Sequence, residues 1–322
     1  MFGTFRFLLA CTVAMGHIGY AALLNISTPV TAVIGFYLIS GYVMTGLIRN
    51  YYMGLPSVPK FYLDRLLRIY PQYVFFLCVS LVLFFFLKVE DPHLSSGFNL
   101  QRLSYNLLII PLDFYMFLDA SGFLLIPPTW SLGLEVCFYL LIPFLLMMTR
   151  ARALGIIISL FIFTLATFNV VDSDVWGYRL VPGTLYVFLL GSLLYDQQLR
   201  SIRYVLVYLA VLMVLVMAVG EIRLPHTIEI YVGISIGFPL LYVLSKRRKN
   251  KYDDLLGNIS YGVFLSHYLV RWFYQAIYPH YLKLTGTEFV LFYLACAITL
   301  GAFGYYAIEL PFLRLRKQMR VR

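Results

Sequence analysis

Long apolar stretches separated by short polar segments recur along almost the whole chain. A transmembrane helix needs about 20 consecutive apolar residues, and ten stretches come close to that length. They cover residues 5–24, 30–49, 69–88, 130–149, 153–171, 180–197, 203–220, 227–245, 257–278 and 287–309. The pattern predicts an all-α polytopic membrane protein with about ten transmembrane helices around a central polar cavity.

The segments between these stretches are short, and no internal repeat or low-complexity region interrupts them. Residues 1–322 are therefore predicted to form a single membrane domain without a soluble appendage. No convincing cleavage site follows the first apolar stretch, so we expect a retained span and not a signal peptide. In the longest loop, 89–129, an apolar segment at 103–118 contains Pro111 and Asp113, which favours an interfacial or re-entrant helix over an eleventh span.

Composition supports a lipid environment, because hydrophobic residues make up 61% and charged residues only 12% of the 322 residues. Soluble domains carry roughly 25% charged residues, and mean hydropathy here is +0.82.

The four cysteines lie in apolar runs without a CxxC pattern. They indicate neither a disulfide framework nor a thiolate metal site, and no metal is expected.

The formal net charge of +10 is explained by topology. Most lysines and arginines fall in the terminal segments and alternate loops that ten crossings place on one side, and the positive-inside rule makes that side cytoplasmic. Both termini are then cytoplasmic, and most acidic residues fall in outer loops. The basic excess indicates contact with anionic lipid or a phosphorylated ligand; no nucleic-acid motif is present.

Arg6 and His17 are the first polar residues inside an apolar stretch. They are eleven residues apart, which on an α-helix places them on one face and separates them by roughly 16 Å along the axis. An imidazole at mid-membrane can act as a general base, and an arginine at the cytoplasmic mouth can hold an anion. The alternative is a packing histidine and an arginine that only fixes topology.

Glu135 and His267 are predicted to lie at a depth similar to that of His17. Ionisable groups inside a membrane are costly and usually functional, and Glu135 can orient a histidine base as the acid does in a catalytic triad. A structural ion pair of Glu135 with Arg179 or Arg271 remains an alternative.

Arg65 and Arg68 share a helical face at the inner boundary, where two guanidiniums suit a phosphate-bearing ligand. Charges that merely fix the topology of a span explain them equally well.

Two further polar residues lie in predicted spans. In the second span, Ser40 lies between small residues that permit close helix packing. At the end of the last span, Glu309 can pair with either Arg65 or Arg68.

Taken together, these segments resemble acyltransferase family 3, the ten-span membrane O-acyltransferases. The family opens with Arg, ten residues and His, here Arg6 and His17. Four further elements carry the resemblance: Phe36 to Tyr42 around Ser40; Arg65, Arg68, Ile69 and Pro71; Trp130, Ser131, Leu132, Glu135, Phe138, Tyr139 and Pro143; and Ile259, Ser260, Tyr261, Leu265 and His267. A terminal E-x-P at Glu309 completes the series. Phe264 departs from it, since an aromatic residue with a hydroxyl is usual there.

The resemblance implies acyl-CoA-dependent O-acylation, most simply O-acetylation, of a sugar on a cell-surface polysaccharide, lipopolysaccharide or glycolipid precursor. It implies a bacterial inner-membrane enzyme without an SGNH-type domain. Acetyl-CoA would be the donor and the acceptor would approach from outside. His17 and Glu135 would be catalytic, and Arg6, Arg65 and Arg68 would bind CoA. Ser40, Tyr261, His267 and Trp130 are supporting candidates.

Direct transfer and an acyl-enzyme route both remain open, as do the acceptor, the acyl length and the oligomeric state. The rival function is a transporter or flippase that uses the intramembrane His and Glu as a proton relay. Inverted repeats, typical of transporters, are not detectable in the sequence.

Overall fold

A computed structural model describes residues 2–20, 22–23, 26–87, 89, 91–219, 226–248, 250–277, 284 and 286–321. Its α-helices are α1 Gly3–Gly16, α2 Thr28–Tyr51, α3 Val58–Leu87, α4 Leu100–Leu108, α5 Ile110–Asp113, α6 Trp130–Met147, α7 Thr149–Thr167, α8 Val181–Tyr195, α9 Leu199–Val219, α10 Thr227–Ser245, α11 Lys251–Ile277, α12 Gly286–Phe303 and α13 Leu310–Val321. Two short antiparallel strands, β1 Ala22–Leu23 and β2 Ile26–Ser27, connect α1 to α2.

Shorter helical segments connect several of these helices. 3₁₀ turns occupy Leu55–Ser57, Pro92–Leu94 and Pro127–Thr129, and π-helical segments occupy Ser173–Arg179 and Gly304–Glu309. The Asn99 side chain caps α4 by accepting from the Gln101 N–H at 2.7 Å, and Asp172 accepts from the Val175 N–H at 2.8 Å. Such caps satisfy backbone donors that have no partner within the helix.

Within the described residues, eight helical segments are long and apolar enough to cross a membrane. They are Thr28–Tyr51, Leu55–Leu87, Pro127–Met147, Thr149–Thr167, Ser173–Tyr195, Leu199–Val219, Thr227–Ser245 and Gly286–Arg316. The other two predicted spans coincide with α1, which has 14 residues, and with α11, whose 27 residues include an acidic first turn. The helical fold is confirmed, whereas ten crossings stay a prediction.

Helix α2 lies at the centre and contacts α1, α6, α8 and α10. Its approach to α8 is close because both helices carry glycines at the crossing: a Cβ at Gly41 would lie 1.7 Å from the Phe188 carbonyl oxygen, and one at Gly191 would lie 2.0 Å from that of Leu38. Helix α1 packs along α11, which in turn packs on α12. This arrangement brings both ends of α1 against the core of the bundle.

The loop between α3 and α6 folds back into the bundle. A positive φ of 65° at Ile109 separates α4 from α5, and α5 packs against α6 at Gly133. The buried Asn106 side chain fixes the return path, since it donates to the Phe123 carbonyl at 2.8 Å and accepts from the Leu125 N–H at 3.0 Å. The position of α5 fits the re-entrant helix predicted for residues 103–118.

Candidate functional site

The first of two cavities, here called the arginine cavity, has a volume of about 450 Å³ and lies among α1, α2, α3, α6, α11 and α13. Its polar lining consists of Arg6, Ser40, Asn50, Arg65, Arg68, Ser131, Glu135, Tyr139, Ser260, Tyr261 and Arg316, beside aromatic and aliphatic side chains. Four guanidiniums in one cavity create a strongly positive site. The three arginines predicted from the sequence to bind a donor therefore come together here.

Three of these four arginines have a carboxylate partner. Arg65 forms an ion pair with the fully buried Asp64, and Arg316 contacts the same carboxylate at 3.4 Å. Arg68 pairs with Glu309, which confirms one of the two pairings expected for that glutamate.

Arg6 differs from the other three arginines. Among the described residues, no ion pair or hydrogen bond of its guanidinium is found. An unpaired buried charge is costly, so Arg6 is the cation in this cavity that is available to an anionic ligand.

Glu135 forms part of the polar wall of the arginine cavity. Its Oε1 atom accepts from the Ser40 hydroxyl at 2.6 Å and from the Tyr139 hydroxyl at 2.5 Å. The expectation that Glu135 orients His17 is therefore wrong in this structure, because the two side chains bond different partners and line different cavities. The alternative pairing of Glu135 with Arg179 or Arg271 is wrong as well, since those arginines contact Asp174 and Asp91.

The second cavity, here called the histidine cavity, has a volume of about 460 Å³. Its lining includes His17, His93, Ser95, Ser96, Tyr115, Ser121, Trp130, Arg179 and Tyr268. The Arg179 guanidinium stacks over the Trp130 ring at 4.5 Å and is held by both oxygens of Asp174 at 2.9 Å. Aromatic faces beside hydroxyl groups suit a polar ligand with apolar ring faces. Apart from His267, the site residues predicted from the sequence are thus divided between these two cavities, and the central polar cavity expected from the sequence is not confirmed.

His17 ends α1 at the wall of the histidine cavity. Its Nδ1 atom lies 3.1 Å from the Tyr268 hydroxyl, and its carbonyl oxygen accepts from Arg271 Nη1 at 2.9 Å. The ring stacks on that of His267, with centroids 5.4 Å apart. The two histidines that the sequence placed at one depth are therefore neighbours.

His267 is fully buried. Its Nδ1 atom lies 3.3 Å from the Val263 carbonyl oxygen, and a carbonyl only accepts, so Nδ1 carries the proton. The Nε2 atom then holds a lone pair, and it has no hydrogen-bond partner among the described residues. In its neutral form His267 cannot donate a hydrogen bond from Nε2.

Asp91, in the loop after α3, contacts several of the side chains that surround His17. Its carboxylate accepts from Trp272 Nε1 at 3.1 Å and from the His93 N–H at 2.9 Å, and it lies 2.7 Å from His93 Nδ1. Burial by itself raises the pKa of the Asp91 carboxyl, but the hydrogen bonds from His93 and Trp272 hold that pKa well below its ordinary value. The carboxylate is therefore ionised at neutral pH and attracts Arg271, whose Nη2 lies 3.6 Å away.

The two cavities adjoin at the start of α6. Trp130 lines the histidine cavity, and its neighbour Ser131 lines the arginine cavity. Phe36 and Phe264, 6.4 Å apart, line the arginine cavity, and Phe264 lies 6.2 Å from the His267 ring. Ring contacts thus lead from Phe36 and Phe264, in the wall of the arginine cavity, through His267 to His17.

Asp113 is a buried acid that the sequence did not single out for a role. It is fully buried beside Gly133, and neither carboxyl oxygen has a hydrogen-bond partner among the described residues. Burial raises the pKa of Asp113 to about 8, against the opposing effect of Arg179. The carboxyl is therefore mostly protonated at neutral pH.

The profile of an acyltransferase domain matches residues 3–306, nearly the whole chain. The chain belongs to acyltransferase family 3. It is also 38% identical over 162 residues to an uncharacterized protein of Aquifex aeolicus strain VF5, a match that covers 47% of this chain and 73% of the relative. No solved structure matches the chain. Family membership and the apolar helices make this chain an integral membrane acyltransferase.

Membership of acyltransferase family 3 accounts for the residues found from sequence motifs, but sequence analysis assigned no site role to Arg316 and Tyr268, which line the cavities, or to Asp91. Arg316 was counted only as a topology signal in the basic tail, and Asp91 only as an outer-loop acid. Arg271 was considered only as a partner of Glu135. Tyr268 directly follows His267 in α11, and Arg271 lies one helical turn beyond His267, so their proximity to His267 was the available signal. Among the described residues, no cluster of histidine, cysteine or acidic side chains forms a metal site.

Proposed function

We propose that this acyltransferase transfers an acyl group, most simply acetyl, from a cytoplasmic acyl-CoA to a sugar hydroxyl on a cell-surface polysaccharide, lipopolysaccharide or glycolipid precursor. The observation that carries this proposal is a pair of cavities whose linings include the neighbouring residues Ser131 and Trp130. One is lined by Arg6, which has no ion pair among the described residues, and the other by His17. The proposal places the chain in the bacterial cytoplasmic membrane with both termini inside, as the positive-inside rule indicates.

The donor is proposed to bind in the arginine cavity. CoA carries several phosphate charges, and Arg6 is the cation there without a carboxylate partner among the described residues. Arg65 and Arg68 line the same cavity but are already paired, so they shape the positive wall while Arg6 supplies the uncompensated charge. The 450 Å³ volume suits part of a CoA molecule, and the adenosine end would remain outside.

The acceptor is proposed to bind in the histidine cavity. The rings of Trp130, Tyr115 and Tyr268 offer faces for a pyranose, and serine and tyrosine hydroxyls offer hydrogen bonds to its oxygens. His17 lies at the wall of this cavity, where it would meet one hydroxyl of the sugar.

In the proposed reaction His17 accepts the proton of the acceptor hydroxyl as its oxygen attacks the thioester carbonyl carbon. The new C–O bond gives a tetrahedral oxyanion, whose collapse breaks the C–S bond. The thiolate of CoA leaves and takes up the proton from His17, so the ester, free CoA and neutral histidine are restored. The thioester must reach past Phe36 and Phe264, so the acyl end of the donor is proposed to insert between these rings.

The oxyanion needs a hydrogen-bond donor. Ser40 already donates to Glu135, and Tyr261 donates to the Ile69 carbonyl at 3.1 Å. Both lie in the arginine cavity, on the side from which the thioester arrives. Either hydroxyl can serve only by exchanging its present partner for the oxyanion.

The test uses the purified full-length protein in nanodiscs with radiolabelled acetyl-CoA and an acceptor glycan extract. The wild type should bind acetyl-CoA and transfer label to glycan, which a transporter or flippase would not do. His17→Ala should abolish transfer, with at least a 100-fold loss expected for removal of a general base, and should leave donor binding nearly intact. Transfer retained in His17→Ala would refute the role of this histidine as base.

A further inference from the structure

The imidazole of His17 needs a partner that fixes its orientation, and Glu135 is not that partner. A histidine that acts as a base must present an unprotonated nitrogen to the acceptor, while its other nitrogen carries a proton and is usually held by a hydrogen bond. The atom next to His17 Nδ1 is the hydroxyl oxygen of Tyr268, at 3.1 Å.

We propose that Tyr268 is the positioning residue of His17: its hydroxyl oxygen accepts the Nδ1–H proton and so keeps Nε2 as the basic nitrogen facing the acceptor. This rests on the proposed function, since the need for a free lone pair on Nε2 follows from the role of His17 as base. Tyr268 is buried, and its ring packs between those of His17 and Trp272, with centroid distances of 4.9 and 5.7 Å. The hydroxyl therefore has little freedom to move away from Nδ1.

Arg271 and Asp91 hold the other parts of this arrangement. Arg271 donates to the His17 carbonyl oxygen at 2.9 Å and lies over the Tyr268 ring at 5.4 Å. Asp91 neutralises the arginine from 3.6 Å and fixes the indole of Trp272, against which Tyr268 packs. Asp91 thus holds the main chain of His17 through Arg271. Through Trp272 it also holds the Tyr268 ring, which contacts the imidazole.

Among the described residues, the charged and titratable groups in contact with the His17 ring or acting on it belong to two elements. Helix α11 contributes His267, Tyr268 and Arg271, and the loop after α3 contributes Asp91 and His93. The proposal requires a neutral imidazole at rest, with its one proton on Nδ1 and shared with the Tyr268 hydroxyl oxygen.

The chain offers a matched control for Tyr268. Tyr293 is also buried, and its hydroxyl also contacts α1, but it donates to the Ala14 carbonyl oxygen at 3.3 Å and does not contact the His17 ring. Tyr268→Phe and Tyr293→Phe each remove one buried hydroxyl that contacts α1. Only the first removes the partner of the imidazole.

The experiment measures the imidazole tautomer by ¹⁵N NMR of protein labelled at histidine, with the His17 signals identified by their loss in His17→Ala. The wild type should carry the proton on Nδ1, Tyr268→Phe should show both tautomers, and Tyr293→Phe should match the wild type. A proton on Nε2 in the wild type, or an unchanged tautomer in Tyr268→Phe, would overturn the proposal.

Transfer kinetics supply a second readout. Tyr268→Phe should lower kcat by at least about tenfold with little change in the donor KM, because a misoriented base slows chemistry and not donor binding. Tyr293→Phe should keep kcat within about twofold. Absence of acyl transfer in the wild type would refute the proposed function, and transfer that persists in His17→Ala would refute the role of His17 as base, whereas full activity in Tyr268→Phe alone would refute only the role of Tyr268.

Discussion

Arg6 and His17 illustrate how one short helix serves two cavities. They lie near opposite ends of α1, roughly 16 Å apart at 1.5 Å per residue, and each reaches a different cavity. In the proposed reaction, this eleven-residue spacing separates the cation that binds the donor from the base. A shift of either residue by one position would turn it by about 100° on the helix.

The unpaired charge of Arg6 leads to a prediction for donor binding. Arg6→Gln should weaken acetyl-CoA binding by about tenfold or more, since a hydrogen bond to a charged group contributes about 1.5–3 kcal/mol. Isothermal titration calorimetry on protein in nanodiscs measures this change. The control is Arg200→Gln, which removes an exposed arginine outside the cavity. Equal affinities of Arg6→Gln and wild type would contradict donor binding by Arg6.

The case of Glu135 shows where prediction of the site from sequence stopped. Counting residues from a span end predicted a similar depth for His17, Glu135 and His267, and the contact between the two histidine rings agrees with it. Depth does not give direction around the bundle, because that depends on how helices pack. Glu135 faces Ser40 and Tyr139. Although the sequence predicts a similar depth for Glu135 and His17, Glu135 lines the arginine cavity and His17 lines the histidine cavity.

At the scale of helices, the crossing of α2 and α8 sets the geometry of the arginine cavity. Ser40 lies in this crossing beside Gly41, and a side chain at Gly41 would collide with the Phe188 backbone. The glycine is needed for close approach, and the main chain of α8 cannot yield as a flexible side chain does. The packing of these helices therefore fixes the position of Ser40 against Glu135.

Gly41→Ala should destabilise the protein, by about 1–3 kcal/mol if the helices can separate slightly. The melting midpoint in detergent, followed by tryptophan fluorescence, should fall by several degrees. Gly155→Ala is the matched control, because its added Cβ would meet its nearest atom, Leu185 Cδ2, at an ordinary contact distance of 3.4 Å. A midpoint as high in Gly41→Ala as in Gly155→Ala would contradict the close crossing.

Apolar length predicted most helices but not their interruptions. The stretches at 30–49 and 203–220 correspond to α2 and α9 because each is a continuous apolar run. The π-helical segments Ser173–Arg179 and Gly304–Glu309 have no apolar signature, since they depend on one shifted hydrogen bond per turn. The break at Ile109, which sends α5 into the bundle, is likewise a backbone feature that side-chain hydropathy does not encode.

For the whole molecule, the distribution of charge predicts that the two cavities open to opposite sides of the membrane. The arginine cavity includes Arg316 from the basic C-terminal helix, and the histidine cavity is bordered by the loop after α3. The positive-inside rule assigns the basic end to the cytoplasm. We therefore expect the donor to enter the arginine cavity from the cytoplasm and the acceptor to enter the histidine cavity from outside. The two substrates would meet only at the rings of Phe36 and Phe264.

Cysteine labelling in cells tests this two-sided arrangement. Asn50 is exposed at the arginine cavity and Ser121 at the histidine cavity. In a variant with the four native cysteines replaced, a membrane-impermeant maleimide should label Ser121→Cys in cells with a permeable outer envelope and an intact inner membrane. Asn50→Cys should react only after the inner membrane is permeabilised, and bound acetyl-CoA should then slow its labelling but not that of Ser121→Cys.

Full permeabilisation provides the internal control, because both cysteines must then react if both positions are solvent-accessible. Labelling of both from the same side of an intact inner membrane would contradict opposite access, and a reversed pattern would invert the predicted topology. Protection of Ser121→Cys by acetyl-CoA would place the donor in the histidine cavity. In the expected result, the donor and the acceptor each have access from one side of the membrane only. Acyl transfer must then occur between the two cavities, at the rings of Phe36 and Phe264.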